Sequence, residues 1–307
     1  MNGTVIKSTG SWYRVQELHS HEIYECRIKG KFRLENSRHT NPITVGDIVE
    51  FELEEDGFGV ISNIAPRKNY IIRKSVNLSK ESHMLAANVD RAYLIVTIRK
   101  PKTLLSFIDR FLVSAEAYQI PVTIICNKTD LHSTRDTEIY NEWKKIYAIA
   151  GYEIIPVSTV SGQNIAELRA QLQDKINVFV GNSGVGKSSI INALEPNLHI
   201  KTKEISKTHK TGQHTTTFAE MHPLSQGGYI VDTPGVRSFG LLDLDKNQIY
   251  HYFPEIFKHS HACKYFNCTH LHEPECAVID AVHKHHISAS RYLNYCAIVL
   301  DEGSKHR

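Results

Sequence analysis

INVFVGNSGVGKSS, residues 176–189, is the stretch on which the fold reading turns. Ile176, Val178, Phe179 and Val180 make an apolar run suited to a buried strand, and KSSIINAL (187–194) has the spacing of a helix. Between them, Gly181 to Ser188 fits the pattern G-x-x-x-x-G-K-[ST]. The chemistry explains the pattern. Glycines let successive backbone N–H groups wrap a β-phosphate, Lys187 reaches the β- and γ-phosphates, and the Ser188 hydroxyl ligates Mg²⁺. Gly181, Asn182, Ser183, Gly184, Val185, Gly186, Lys187, Ser188 and Ser189 are therefore expected to hold nucleotide phosphates with magnesium.

Outward from this loop, strand-like and helix-like segments alternate. DRAYLIVTIR (90–99), VTIICNKTD (122–130), YEIIPVS (152–158) and GYIVDTPG (228–235) carry the continuous apolar runs of buried parallel strands. LLSFIDRFLVSAEAY, TEIYNEWKKIYAIA and NIAELRAQLQDK lie between them as helices. Residues 67–243 are thus expected to form an α/β nucleotide-binding domain whose ligand sits at the carboxyl ends of its strands.

The base has its own signature. Asn127, Lys128, Thr129 and Asp130 follow the strand VTIIC. Asp130 can accept from guanine N1–H and the exocyclic amine, Asn127 suits N7 and O6, and the Lys128 stem covers the ring face. Adenine lacks those donors and would leave a desolvated carboxylate unsatisfied. With the phosphate loop, this motif means GTP and GDP. Ser158, after YEIIP, is a weaker candidate for a base contact. Asp232, in Asp232-Thr-Pro-Gly235, suits a water-mediated magnesium contact, and the Gly235 N–H suits the γ-phosphate. Gly212-Gln-His-Thr-Thr-Thr217 lies in a long polar segment, where a threonine that completes the magnesium shell would make a nucleotide-sensing switch. Many GTPases place a glutamine just after D-x-x-G to orient the attacking water. Here Val236 stands there, so His214 is the best internal candidate for the catalytic group.

The two ends differ from the middle. Residues 1–66 read as about five short strands separated by turns, which fits an oligonucleotide-binding (OB-like) β-barrel. Seven basic against ten acidic residues in 1–64 weaken a simple phosphate clamp there. Residues 244–307 read as a small helical domain. Nine of the chain's 18 histidines lie beyond residue 250, and Cys263, Cys268 and Cys276 fall close together. Three thiolates and one imidazole form a closed tetrahedral set for a structural zinc, with His270, His259, His261 and His272 as rivals for the fourth place. Cys26 and Cys126 sit singly in apolar runs and read as core.

Composition narrows the class further. The 307 residues are 41% hydrophobic and 22% charged, as in ordinary soluble chains, and no apolar run approaches the roughly 20 residues of a membrane helix. The N-terminus has no readable signal peptide, so a cytoplasmic location without a membrane partner is expected. A net charge of +3 does not imply nucleic-acid binding by itself. Its distribution is more telling: Arg67, Lys68, Arg73, Lys74 and Lys80 fall within 65–80 without an acid, and Lys201, Lys203, Lys207 and Lys210 lie in 198–210 beside Glu204 alone. Both stretches are expected to meet RNA.

The motif order is unusual. Guanine motifs at 127–130 and 157–158 precede the phosphate loop, whereas ordinary GTPases run the other way. The same sheet can assemble from permuted segments because domain termini often lie close together. With NKTD before GNSGVGKSS, then GQHTTT, DTPGVRSFG and the cysteine cluster, and with IDRFL at 108–112, the chain resembles the circularly permuted, small-subunit-dependent ribosome-assembly GTPases (the RsgA or YjeQ family) over essentially its whole length. The resemblance implies a cytoplasmic GTPase that binds the small ribosomal subunit in late maturation and is stimulated by it; contact with the subunit's rRNA and a monomeric state are expected alongside. It also favours His270 as the fourth zinc ligand and a catalytic role for His214. A GTP-responsive binder of another RNA and a small-molecule kinase are the rival classes. The guanine motif argues against the kinase.

Overall fold

The computed structural model describes residues 1–28, 42–74, 82–198, 220–232 and 244–300. Its contacts divide the chain into two units, Met1–Tyr93 with Ile165–Phe239 and Leu94–Asn164 with Gly240–Arg307. By contacts, the segment 67–243 contributes to each unit.

The first unit opens with a closed barrel. Strands β1 (Asn2–Ser8), β2 (Tyr13–Glu17), β3 (Ile23–Ile28), β4 (Ile48–Leu53) and β5 (Gly59–Ile64) are joined in the ring β1–β2–β3–β5–β4–β1. Only the β3–β5 pair is parallel. Alternation places Val5, Tyr13, Val15, Cys26, Val49, Phe51 and Ile61 inside, each fully buried. Burial pushes the Cys26 thiol up to about 12, as suits a core residue. A Cβ at Gly59 would meet Cys26 Sγ at 2.4 Å, so a larger residue there would force the buried Cys26 side chain to shift.

Residues expected to open the α/β domain instead extend this unit. Strands β6 (Tyr70–Lys74) and β7 (Ser82–Ala87) form a hairpin. It is fastened to the barrel by Ala87 N to Val45 O at 2.8 Å and by Asn88 Nδ2 to Gly46 O at 2.8 Å. Arg67 donates to both oxygens of the buried Asp47 (2.6 and 2.7 Å) and to Pro42 O at 2.7 Å. Lys68 is paired with Asp90. Two of the cations expected to face RNA are therefore engaged within the protein, while Arg73 and Lys74 lie on β6. Lys80, Lys201, Lys203, Lys207 and Lys210 lie outside the described residues.

Within β8 (Arg91–Val96) the chain passes into the second unit, and it returns to the first with helix α3 (Ile165–Leu172), β11 (Ile176–Val180), α4 (Lys187–Leu194), β12 (Glu220–Pro223) and β13 (Tyr229–Asp232). β11 and β13 are parallel, with Val178 opposite Val231, so both leave the sheet at the same end. Buried Asn177 donates across this pair to Tyr229 O, and to Leu172 O behind it. The short β12 runs antiparallel to β13 and also meets β1.

The second unit holds α1 (Leu105–Ala117), β9 (Val122–Asn127), α2 (Thr134–Ile149), β10 (Glu153–Val157) and the C-terminal helices α5 (Pro254–Ser260), α6 (Ala277–His283) and α7 (Ala289–Leu300). β9 and β10 are parallel and largely buried, with Cys126 opposite Pro156 near their carboxyl ends and its thiol pushed up to about 12 by burial. The C-terminal helices are too short to close a core alone. Phe253, Ile256, Val278, Tyr295 and Ile298 pack with Val113 of α1, and fully buried Arg291 joins Glu255 (2.6 and 3.0 Å) to Asp109 (2.9 Å).

Candidate functional site

The phosphate loop lies in the first unit. Gly184 and Gly186 take positive φ (81° and 99°), a region costly for residues with a Cβ, and this folds the loop back before α4 begins. Buried Val185 anchors the loop from beneath. The Lys187 ammonium lies within the loop, donating to Gly181 O at 2.7 Å and Asn182 O at 2.8 Å. Ser188 falls in the first turn of α4, where backbone N–H groups and the helix dipole favour an anion. Asp232 ends β13 on the strand beside β11, so it leaves the sheet at the same end as the loop. Gly235, His214 and the threonines of 212–217 lie outside the described residues.

The guanine motif lies in the second unit and is built from two neighbouring strand ends. Asn127 closes β9 and is buried, and Lys128 turns the chain in a left-handed conformation (φ 64°). The Lys128 ammonium donates to Lys100 O at 2.6 Å, and burial lowers its pKa against the pull of Asp130. The Thr129 hydroxyl shares its one proton between Gln163 Oε1 (2.7 Å) and Val157 O (3.1 Å). The buried Ser158 hydroxyl donates to Asp130 Oδ1 at 2.6 Å and accepts from Val160 N and Ser161 N. The structure thus brings Thr129, Asp130 and Ser158 together and gives Ser158 a definite task, orienting the carboxylate. Sequence reading missed Lys100 and Gln163, which hold the motif in place. Neither has a motif signature, since each acts through a loop contact.

Behind the motif, Ser133 caps α2, and Asp136 accepts from the Ser133 N–H at 2.9 Å and hydroxyl at 2.7 Å. Arg99 pairs with the same carboxylate. The Ser133 hydrogen bonds hold Asp136 below the usual carboxylate range, with Arg99 adding to the effect.

The third cluster is C-terminal. One donor atom each from Cys263, Cys268, His270 and Cys276 lies within 4.8 Å of the others. His270 Nδ1 stands 3.5 Å from Cys263 Sγ and 3.6 Å from Cys276 Sγ, and Cys276 Sγ is 3.8 and 3.7 Å from the other two sulfurs. A tetrahedron with zinc–sulfur bonds of about 2.3 Å and a zinc–nitrogen bond of about 2.0 Å has edges of roughly 3.8 and 3.5 Å. The donor set fits that ion in type and spacing. Of the four histidines weighed from the sequence, His270 is the one in the cluster. Tyr292 and Tyr295 of α7 donate to the carbonyls of His270 (2.8 Å) and Thr269 (2.6 Å), fixing the backbone that carries it. Glu273 caps the same turn. Burial raises its pKa, but the Thr269 hydroxyl and backbone N–H groups outweigh this and bring it to about 2.

Comparison with known proteins places the chain in a family. The sequence matches the family model described as RsgA GTPase over residues 64–242 and the one described as RsgA N-terminal domain over residues 2–61. The chain belongs to the RsgA GTPase family. Membership makes it a GTP-hydrolysing enzyme. Curated relatives named small ribosomal subunit biogenesis GTPase RsgA include one from Bacteroides fragilis, 50% identical over 100% of this chain and 99% of its own. One from Phocaeicola vulgatus is 51% identical with the same coverage. Among solved structures, YjeQ from Thermotoga maritima is 35% identical with a TM-score of 0.82, covering 97% of this chain and 96% of its own. YloQ, described as a circularly permuted GTPase, is 32% identical with a TM-score of 0.77, covering 97% and 93%. The permuted motif order of this chain matches the description of YloQ, and the closed N-terminal barrel falls within the span of the RsgA N-terminal domain model. Among the described residues, no helix is long and apolar enough to cross a membrane.

Proposed function

We propose that this RsgA-family GTPase assists late maturation of the small ribosomal subunit, binding the subunit through rRNA and hydrolysing GTP to GDP and phosphate under its stimulation. The observation that carries the reading is about 50% identity, over the full chain, to relatives whose names state that role. Asn127, Lys128 and Asp130 hold guanine, with Thr129 and Ser158 supporting the carboxylate. Residues 181–189 hold the phosphates, and Ser188 and Asp232 serve the magnesium that accompanies GTP. The Gly235 N–H meets the γ-phosphate, and His214 orients the attacking water. Cys263, Cys268, His270 and Cys276 hold one structural zinc, which would clamp the turn between α5 and α6 and take no part in the chemistry. Functionally the chain divides into an RNA-contacting barrel (1–66), a permuted GTPase (67–243) and a zinc-stapled segment (244–307), and it works as a cytoplasmic monomer.

The deciding experiment measures GTP turnover alone and with purified small subunits, large subunits or tRNA. Stimulation by small subunits only is the expected result. Equal stimulation by tRNA or large subunits, or none by small subunits, would overturn the assignment of partner.

A further inference from the structure

The barrel touches the nucleotide half of its unit along one line of strand pairs. In β1, Lys7 lies opposite Glu220 of β12, and Glu220 lies opposite Asp232 of β13. Strands in a sheet are about 4.8 Å apart, so two spacings, roughly 10 Å, separate the backbone of barrel residue Lys7 from that of Asp232. The β1–β12 ladder registers only at Lys7–Glu220, and it follows a shift in the β1–β2 register between Val5 and Lys7. Such a bulge bends a strand and re-aims the residues after it. Past it, β1 keeps β2 through Ser8, while its other edge, paired with β4 at residues 2–4, meets β12 at Lys7. The side chains reinforce the joint: Lys7 Nζ lies 3.2 and 3.1 Å from the two oxygens of Glu220. At the other end of the hairpin, Tyr229 donates to Gln16 of β2. The hairpin is thus fastened to the barrel at both ends. In the sequence, GQHTTT ends two residues before β12 reaches Glu220, and Thr-Pro-Gly follows β13 directly.

We infer that Lys7 and Glu220 are positioning residues that hold the backbone of Asp232 from the barrel, so that a macromolecule bound to the barrel and magnesium nucleotide bound near Asp232 bias one another. The inference rests on the proposed role of Asp232. It requires no contact between the barrel and the nucleotide, because the β12–β13 hairpin transmits the load through hydrogen-bonded backbone. Coupling of this kind is reciprocal: if subunit binding to the barrel tightens the magnesium nucleotide, GTP must tighten subunit binding by the same factor. Lys7 and Glu220 are each about one-third exposed, with side-chain accessibilities of 35%, so charge reversal there leaves the barrel core intact.

The test uses the full chain with Lys7→Glu, Glu220→Lys and the double exchange. The readouts are the Mg²⁺ concentration for half-maximal GTP turnover, turnover at saturating small subunits, subunit affinity with GTP or GDP, and Tm. Either single reversal should raise the magnesium requirement and lower stimulated turnover by about two- to five-fold, the range a partly exposed ion pair supports. The affinity difference between GTP and GDP states should shrink by the same factor. The double exchange should restore all three. A merely structural pair would move Tm and leave the magnesium requirement alone. Unchanged magnesium dependence and stimulation in folded single variants would overturn the coupling, as would losses that the double exchange fails to rescue. Asp232→Asn separates the two ideas. An unchanged magnesium requirement in that variant would refute the role of Asp232 itself, and the coupling with it. A raised requirement there with wild-type behaviour in Lys7→Glu would refute the coupling alone.

Discussion

In the proposed guanine site, Asp130 is the carboxylate that would choose the base, and its Oδ1 is already held by the Ser158 hydroxyl. Asp130→Asn should weaken GTP binding by about 1–3 kcal/mol and shift preference towards xanthine nucleotides, because the amide can pair with the xanthine oxygen. Titration with GTP, XTP and ATP checks this, and equal affinity of the parent for ATP and GTP would refute guanine recognition. His214 poses a different question. With Val236 in the position where many GTPases carry glutamine, the imidazole is the internal group best able to accept from water. His214→Ala should bind GTP normally yet lose subunit-stimulated turnover by about 10²–10⁴-fold if the imidazole acts as base. Single-turnover rates on the subunit, with nucleotide affinity measured in parallel, decide it. Unchanged turnover would point to a group supplied by the partner. The nucleotide motifs are legible in the sequence because each proposed chemistry demands a residue type at fixed spacing. Lys100 and Gln163 are not, because they serve by proximity alone.

Among the elements, α2 shows how local sequence secures a distant loop. Ser133 and Asp136 form a reciprocal cap just past the guanine motif, and Arg99 ties that cap to the loop after β8. Ser133→Ala should lower stability by about 1 kcal/mol and loosen guanine nucleotide binding more than it slows bound-state hydrolysis. The charge adds a pH dependence of definite sign. The folded state holds Asp136 below its ordinary value of 3.8, so its contribution is complete above that value and is lost as pH falls through the lower, folded one. The Tm difference between parent and Asp136→Asn should therefore be constant near neutrality and close only in acid below about pH 4. A gap that closed between pH 5 and 7 would assign the effect to another group. Sequence reading located the five barrel strands and the α/β elements from β8 onward because hydrophobic period and turn residues mark them. It passed over β12, four residues after a long polar segment. It also passed over the β6–β7 hairpin, whose basic residues suggested an RNA face rather than a strand pair.

Across the whole chain, pairs far apart in sequence tie segments together within each contact unit. Arg291 meets Asp109 across 182 positions and Glu255 across 36, and no local pattern announces such partners. Their burial nevertheless makes them decisive, since breaking a buried ion pair by removing one partner costs about 3–5 kcal/mol. Helix α7 carries Arg291 towards α1 and carries Tyr292 and Tyr295 towards the backbone of the cysteine–histidine cluster. Metal at that cluster should therefore stabilise more than the turn that binds it. Zinc removal would leave three thiols and an imidazole crowded in a buried site, loosen the carbonyls that Tyr292 and Tyr295 hold, and weaken the seat of α7 on α1. The expected result of chelation, followed by amide hydrogen exchange, is lost protection in 263–276 and α7 that spreads into α1, 105–117. The barrel strands β1–β5, which belong to the other unit, should keep theirs. Metal analysis of protein purified without chelator should find about one zinc per chain. Absence of zinc would remove the metal assignment. Lost protection that stopped at the C-terminal helices would show instead that the Asp109–Arg291–Glu255 cluster holds α7 without help from the metal.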